Sequence, residues 1–198
     1  MNFYDFTLEE LESYLIENGF KKYNATQIIE WVYEKHIYDF DKMTNLSKKL
    51  IEFLKLNISF DKLKVIKVEE SDLANKYLLE LKDGNRIESV LMKHDYGLSL
   101  CVSSQIGCNM GCSFCESGRL KKIRNLTLSE IVMQVITVSE YVNKRIDSIV
   151  MMGIGEPFDN FDTVKRFISV VTNNKMIGIG QRHLTISTCG IVPKIYEF

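Results

Sequence analysis

The sequence predicts an α/β protein in three parts: a small N-terminal helical domain, an antiparallel β-meander, and a run of alternating strands and helices. Apolar residues recur at helical spacing as far as residue 56, and at strand-like alternation from about 62 to 94. From residue 98 onward strand and helix patterns alternate, which is typical of parallel βα units in a barrel or open sheet. The change near residue 60 predicts two domains, 1–60 and 61–198.

The helical part begins with a helix over 7–18. Thr7 and Glu10 form a capping box, and Asn18 with Gly19 supplies a stop signal. Two further helices are predicted over about 25–35 and 46–56. The lone tryptophan, Trp31, is expected in the core rather than as a base-stacking platform.

The later elements follow from turn and cap signals. Asp83-Gly84 between apolar runs predicts a hairpin within the meander, and a strand over 98–103 leads into a cysteine-rich loop. After the loop, Thr127 and Glu130 form a second capping box. The remaining predicted elements are a helix over 127–143, a strand over 148–152, a helix over 161–172 and a strand over 184–187.

Composition indicates an ordinary globular protein, with 45% hydrophobic residues among 198. No apolar run reaches the length of a membrane span and no targeting peptide opens the chain, so we expect a cytoplasmic location without membrane association. The net charge of −1 gives no overall nucleic-acid signature. Any RNA contact must use local clusters, and one candidate is the basic run Arg119, Lys121, Lys122 and Arg124, with a solvated surface as the alternative.

Three cysteines, Cys108, Cys112 and Cys115, lie within eight residues and are flanked by glycines. Converging thiolates are typical ligands of iron–sulfur clusters or zinc. The spacing lacks the fourth ligand of a closed zinc site, so a four-iron cluster with one open iron is favoured over zinc completed by His94 or Cys101. An odd cysteine count and a reducing compartment argue against a disulfide framework.

A second motif, residues 151–157, places glycines and Glu156 directly after a predicted buried strand. Glycines at the carboxyl end of a parallel strand allow a ligand to lie against the backbone. A simple tight turn is the alternative.

The Cys-x3-Cys-x2-Cys spacing resembles that of radical S-adenosylmethionine (SAM) enzymes. The resemblance implies that the three cysteines hold a [4Fe–4S] cluster whose open iron binds SAM, and that the chain contains the first βα units of a radical SAM partial barrel. It also implies that Gly155, Glu156 and Ser187 contact SAM.

The fuller pattern resembles the RlmN-type family, the dual-specificity 23S rRNA and tRNA adenine carbon-2 methyltransferases. The matching stretches are 42–47, 103–108, 124–127, 152–157, 180–190 and 192–193. By this resemblance Glu88 is the proton acceptor and Cys101 the thiol that resolves the covalent RNA adduct. Without the resemblance, Glu88 would be interpreted as a solvated strand residue and Cys101 as a small buried residue. Cys189 is expected to serve in packing.

The resemblance further implies a monomer that uses a flavodoxin-type electron donor. The family chain continues beyond the position matching Phe198, through further SAM contacts and a methyl-carrying cysteine, so this chain is expected to be truncated and inactive alone. The alternatives are a Cfr-type carbon-8 methyltransferase, a radical SAM enzyme with another substrate, and a nonenzymatic metal- or RNA-binding fragment.

Overall fold

The structure is a computed structural model that describes all residues from 1 to 198. Its N-terminal part is helical, as the periodicity predicts. The Thr7 hydroxyl accepts from the Glu10 amide and the Glu10 carboxylate accepts from the Thr7 amide, so the predicted capping box is formed. The helices are α1 (Leu8–Glu17), α2 (Tyr23–Ile29), continued by a π-helical turn (Glu30–Glu34), and α3 (Lys48–Asn57).

The meander and the later strands join in one six-stranded mixed sheet. Its strands, in sheet order, are β1 (Lys64–Glu70), β2 (Ala74–Glu80), β3 (Arg86–His94), β4 (Gly97–Cys101), β7 (Ser148–Met151) and β8 (Leu184–Ile186). The pairs from β1 to β4 are antiparallel, whereas β4–β7 and β7–β8 are parallel. The turn between β2 and β3 holds Asp83 and Gly84, which confirms the predicted hairpin.

Helices α4 (Leu128–Val142) and α5 (Phe161–Thr172) connect the parallel strands, as the alternating pattern predicts. Thr127 and Glu130 form the second capping box at the start of α4. A two-stranded ribbon, β5 (Gln105–Ile106) with β6 (Arg124–Asn125), and a last helix, α6 (Val192–Glu197), are additional elements. The ribbon is important for the site, because β5 and β6 pair at the two ends of the cysteine loop.

One face of the sheet is packed under helices. Ile87, Leu91 and Leu100 are buried there, and the Ser89 hydroxyl donates to the Gln134 side chain of α4. The hydrophobic core runs from Phe3 to Ile179 and includes both helical and sheet residues. The division into domains at residue 60 therefore stays a prediction. No helix of the chain is long and apolar enough to cross a membrane.

Candidate functional site

The segments that follow β4, β7 and β8 meet at one edge of the sheet, because parallel strands all end on the same side. The Gly153 amide donates to the Val102 carbonyl at 3.0 Å. The Ser104 and Gln105 amides donate to the Ile154 carbonyl at 2.9 and 3.1 Å. The predicted Gly-Glu segment, residues 153–156, thus lies beside the residues that connect β4 to the cysteine loop.

Glycine is required at two places in this contact. A Cβ atom on Gly153 would lie 2.7 Å from the Ser103 hydroxyl and from the Val102 carbonyl carbon. Gly155 has a φ of +106°, and its Cβ would lie 2.5 Å from the Cβ of Gln105. The backbones can approach this closely only because neither residue carries a side chain.

Glu156 is buried, and its carboxylate ties the segment after β7 to the segment after β8. One oxygen accepts from the Phe158 amide at 2.9 Å and from the Thr188 hydroxyl at 2.6 Å, and the other from the Cys189 amide at 2.7 Å. A carboxylate offers about four acceptor positions, so little capacity remains for a further donor. Ser187, the other predicted SAM contact, is half-buried at the end of β8, beside the Met151 carbonyl.

The cysteine loop spans residues 107–123 and is anchored at both ends. The Cys108 amide donates to the Leu120 carbonyl at 3.0 Å, and the Cys115 amide donates to the Cys112 carbonyl at 3.0 Å. All three thiols are free and half-buried, and Phe114 between the last two is 90% exposed. The loop therefore presents its sulfur atoms near solvent rather than in a packed core.

The donor set of this loop suits a thiolate-ligated cluster. Three soft sulfur ligands close together in sequence are what iron–sulfur clusters take. No three Cys, His, Asp or Glu side chains already converge tightly enough to hold a metal ion. The thiols would have to move together as the cluster binds, as is common where metal binding and local folding are coupled.

Cys189 differs from its predicted packing role, because it is exposed rather than packed. Partial desolvation and a hydrogen bond to Glu156 raise the pKa of its thiol to about 11, and Cys112 and Cys108 add to the effect. The Cys189 thiol therefore lies within electrostatic range of the cysteine loop. Sequence reasoning missed this because the cysteines are more than 70 residues apart in the chain.

Glu88 and Cys101 lie on the same face of the sheet, the one opposite α4. Cys101 ends β4 and pairs with Val90 of β3, two residues along from Glu88. Burial raises the pKa of the Cys101 thiol. Glu88 is half-buried and forms an ion pair with Lys76 at 3.3 Å. The structure thus places Glu88 and Cys101 on one surface of the sheet.

The basic run after the loop is largely neutralised by acidic partners from elsewhere in the fold. Arg124 binds both Asp83 and Glu130, each at 2.6–2.7 Å. Lys122 binds Asp159 at 2.7 Å, and Arg119 binds Glu116. Three of the four cations are therefore paired within the chain, and contact of the basic run with RNA stays a prediction.

Two family models match the chain: "Ribosomal RNA large subunit methyltransferase N-terminal domain" over residues 1–59, and "Radical SAM superfamily" over residues 102–198. A "Probable dual-specificity RNA methyltransferase RlmN" of Acholeplasma laidlawii is 51% identical over 199 residues, covering 100% of this chain and 59% of the relative. A protein of the same description from Clostridium beijerinckii is 48% identical, and the match covers 99% of this chain and 56% of the relative.

The crystal structure of a radical SAM methyltransferase from Sphaerobacter thermophilus has a TM-score of 0.87 and 37% identity. The match covers 100% of this chain and 59% of that one, so the chain spans less than three fifths of the relatives it matches. Residues 102–198 thus match the radical SAM superfamily. Within that superfamily, the chain is similar to the RlmN proteins over its whole length. The superfamily implies SAM and a [4Fe–4S] cluster as cofactors.

Proposed function

We propose that the chain takes part in methylation of an adenine at carbon 2 in 23S rRNA and tRNA, with Cys108, Cys112 and Cys115 as cluster ligands. The observation that carries the proposal is that the segments after β4, β7 and β8 meet at one edge of the sheet. The segment after β4 leads into the cysteine loop, and the segment after β7 is the Gly-Glu segment. When bound, the cluster supplies the electron for reductive cleavage of SAM. The relatives' names supply the RNA substrate class.

The chain's own residues would bind and orient SAM. Gly153 and Gly155 let the segments after β4 and β7 pack closely together, which fixes the strand end at which SAM would lie. Glu156 fixes the segment after β8 through two hydrogen bonds, from the Thr188 hydroxyl and the Cys189 amide, which hold Ser187 at the same edge. The SAM amino group would take the acceptor position at which the Cys189 thiol now donates.

Glu88 and Cys101 would act on the RNA at the face of the sheet that does not pack against α4. Burial raises the pKa of the Cys101 thiol, because the thiolate is poorly solvated there. A thiol in this position needs a base before it can act, and Glu88 lies on the same face to accept a proton. We further propose residues 1–60 as an RNA-binding domain and a flavodoxin-type protein as the electron donor.

The test is reductive SAM cleavage by the anaerobically reconstituted chain. We expect methionine and 5′-deoxyadenosine to form with the unsubstituted chain and with Cys189→Ser, and to disappear with Cys112→Ser. Binding of unmodified tRNA is measured on the same samples. A chain with a full cluster that neither cleaves SAM nor binds tRNA would contradict the proposal.

A further inference from the structure

Gln105 is completely buried on β5 and uses its whole amide group to join three segments of the site. Its oxygen accepts from the Glu156 amide at 2.9 Å. Its nitrogen donates to Asn125 at 2.8 Å and to Asp159 at 2.9 Å. The orientation of the amide is fixed by chemistry, because a backbone N–H can only donate and a carboxylate can only accept.

The network continues from Asp159 into the cysteine loop. The Asp159 oxygen that accepts from Gln105 also accepts from the Lys122 ammonium at 2.7 Å. The Lys122 amide donates to the Asn109 side chain, one residue after the first cysteine of the loop. Burial opposes the charge of Asp159, but Lys122 and Gln105 hold the pKa of its carboxyl below the ordinary value.

A continuous path of hydrogen bonds thus runs from Glu156 through Gln105, Asp159 and Lys122 to Asn109. Its Lys122 and Asp159 side chains are only 19% and 33% exposed, so the ion pair is shielded more than an ordinary surface pair. The stem of Gln105 also fills the space in which a Cβ of Gly155 would lie. Sequence patterns alone assign Gln105 no role.

We propose that Gln105 is a positioning residue that sets the distance and orientation between the Gly155–Glu156 segment and the cysteine loop. It touches neither cluster nor SAM, and acts through the Glu156 amide on one side and Asp159 on the other. The inference rests on the proposed function, because it gives Gln105 the task of aligning the SAM contacts with the cluster ligands. Residues that orient ligands in this way change affinity by about 10- to 100-fold when substituted.

Gln105→Glu is the decisive substitution, since it keeps the size and the oxygen that accepts from Glu156. It replaces the donating nitrogen with an oxygen that faces the Asp159 carboxylate at 2.9 Å. We expect iron content after reconstitution to stay unchanged and the Kd for SAM to rise about 10-fold or more. Adding Asp159→Asn supplies a donor opposite the new carboxylate and should restore most of the SAM affinity.

A second measurement uses the chain without cluster or SAM. Hydrogen exchange at the Glu156 and Lys122 amides should be about 10-fold faster in Gln105→Glu and return towards the original rate in the double variant. Asn75→Asp is the matched control, because it also places a carboxylate at a buried amide position but lies on β2, away from the loops. It should leave both amides unchanged.

The inference is overturned if Gln105→Glu leaves these two amides at their original rates, or if exchange rises equally throughout the chain. It is also overturned if the double variant is no better than the single one in either measurement. If the unsubstituted chain holds a cluster and does not bind SAM, the proposed function fails. The exchange rates then still decide whether Gln105 positions the two segments.

Discussion

Alanine substitution at three glycines tests the close approach on which the site depends. Gly190 has a φ of +100° and open space around it, so alanine there introduces backbone strain alone. Gly153 has no such φ, but its Cβ would meet Ser103 and Val102 at 2.7 Å, so alanine there introduces overlap alone. Gly155 combines both conditions, with a φ of +106° and Gln105 atoms at 2.5–2.8 Å.

The expected losses in free energy of unfolding follow from these differences. Backbone strain at Gly190 should cost about 1–2 kcal/mol. Overlap at Gly153 should cost about 1–3 kcal/mol, since the neighbours are backbone and a buried hydroxyl that has two partners of its own. For Gly155→Ala, where both terms apply, we expect about 3–5 kcal/mol.

Urea unfolding followed by far-UV circular dichroism measures all three variants under the same conditions. The predicted order of stability is Gly190→Ala, then Gly153→Ala, then Gly155→Ala as the least stable. If Gly155→Ala is as stable as Gly190→Ala, the Gln105 side chain does not lie against Gly155, and the reasoning about this strand end is wrong.

Two further outcomes are expected. Although burial works against it, Arg124 holds the pKa of Asp83 down at about 2; the stabilisation is therefore present above pH 4 and lost as pH falls towards 2. Asp83→Asn should lower the free energy of unfolding by about 0.5–1 kcal/mol at pH 7, because the ion pair is partly exposed. In urea titrations this loss should become smaller below pH 4, and a loss independent of pH would refute the ion pair. Glu156→Gln should cost about 2 kcal/mol and speed hydrogen exchange at the Cys189 amide, because a buried charged acceptor is lost; an unchanged exchange rate would show that Glu156 does not hold the segment after β8.

Local signals in the sequence were sufficient for most of the fold. Both capping boxes form as predicted, because the bonds that define them span three residues. The Asp83-Gly84 turn and the alternation of β4, α4, β7, α5 and β8 are confirmed for the same reason: each depends on short-range patterns.

The contacts within the site could not be predicted in this way. Arg124 finds Asp83 41 residues earlier in the chain, and Gln105 finds Asp159 54 residues later. These pairs depend on which strands become neighbours and on the register between them, and no local periodicity carries that information. The same limit explains why the acidic partners of the basic run and the exposure of Cys189 could not be predicted.

The central proposal is that Cys108, Cys112 and Cys115, and no other thiols, hold a [4Fe–4S] cluster. The most direct measurement is iron and sulfide content, with the visible absorption spectrum, after anaerobic reconstitution of the five single Cys→Ala variants. We expect about four irons and four sulfides per chain in the unsubstituted protein and in the variants at Cys101 and Cys189. The variants at the three loop positions should lose the cluster while keeping their helical circular dichroism. Full iron and sulfide in Cys112→Ala, or zinc in place of iron in the unsubstituted chain, would contradict the assignment.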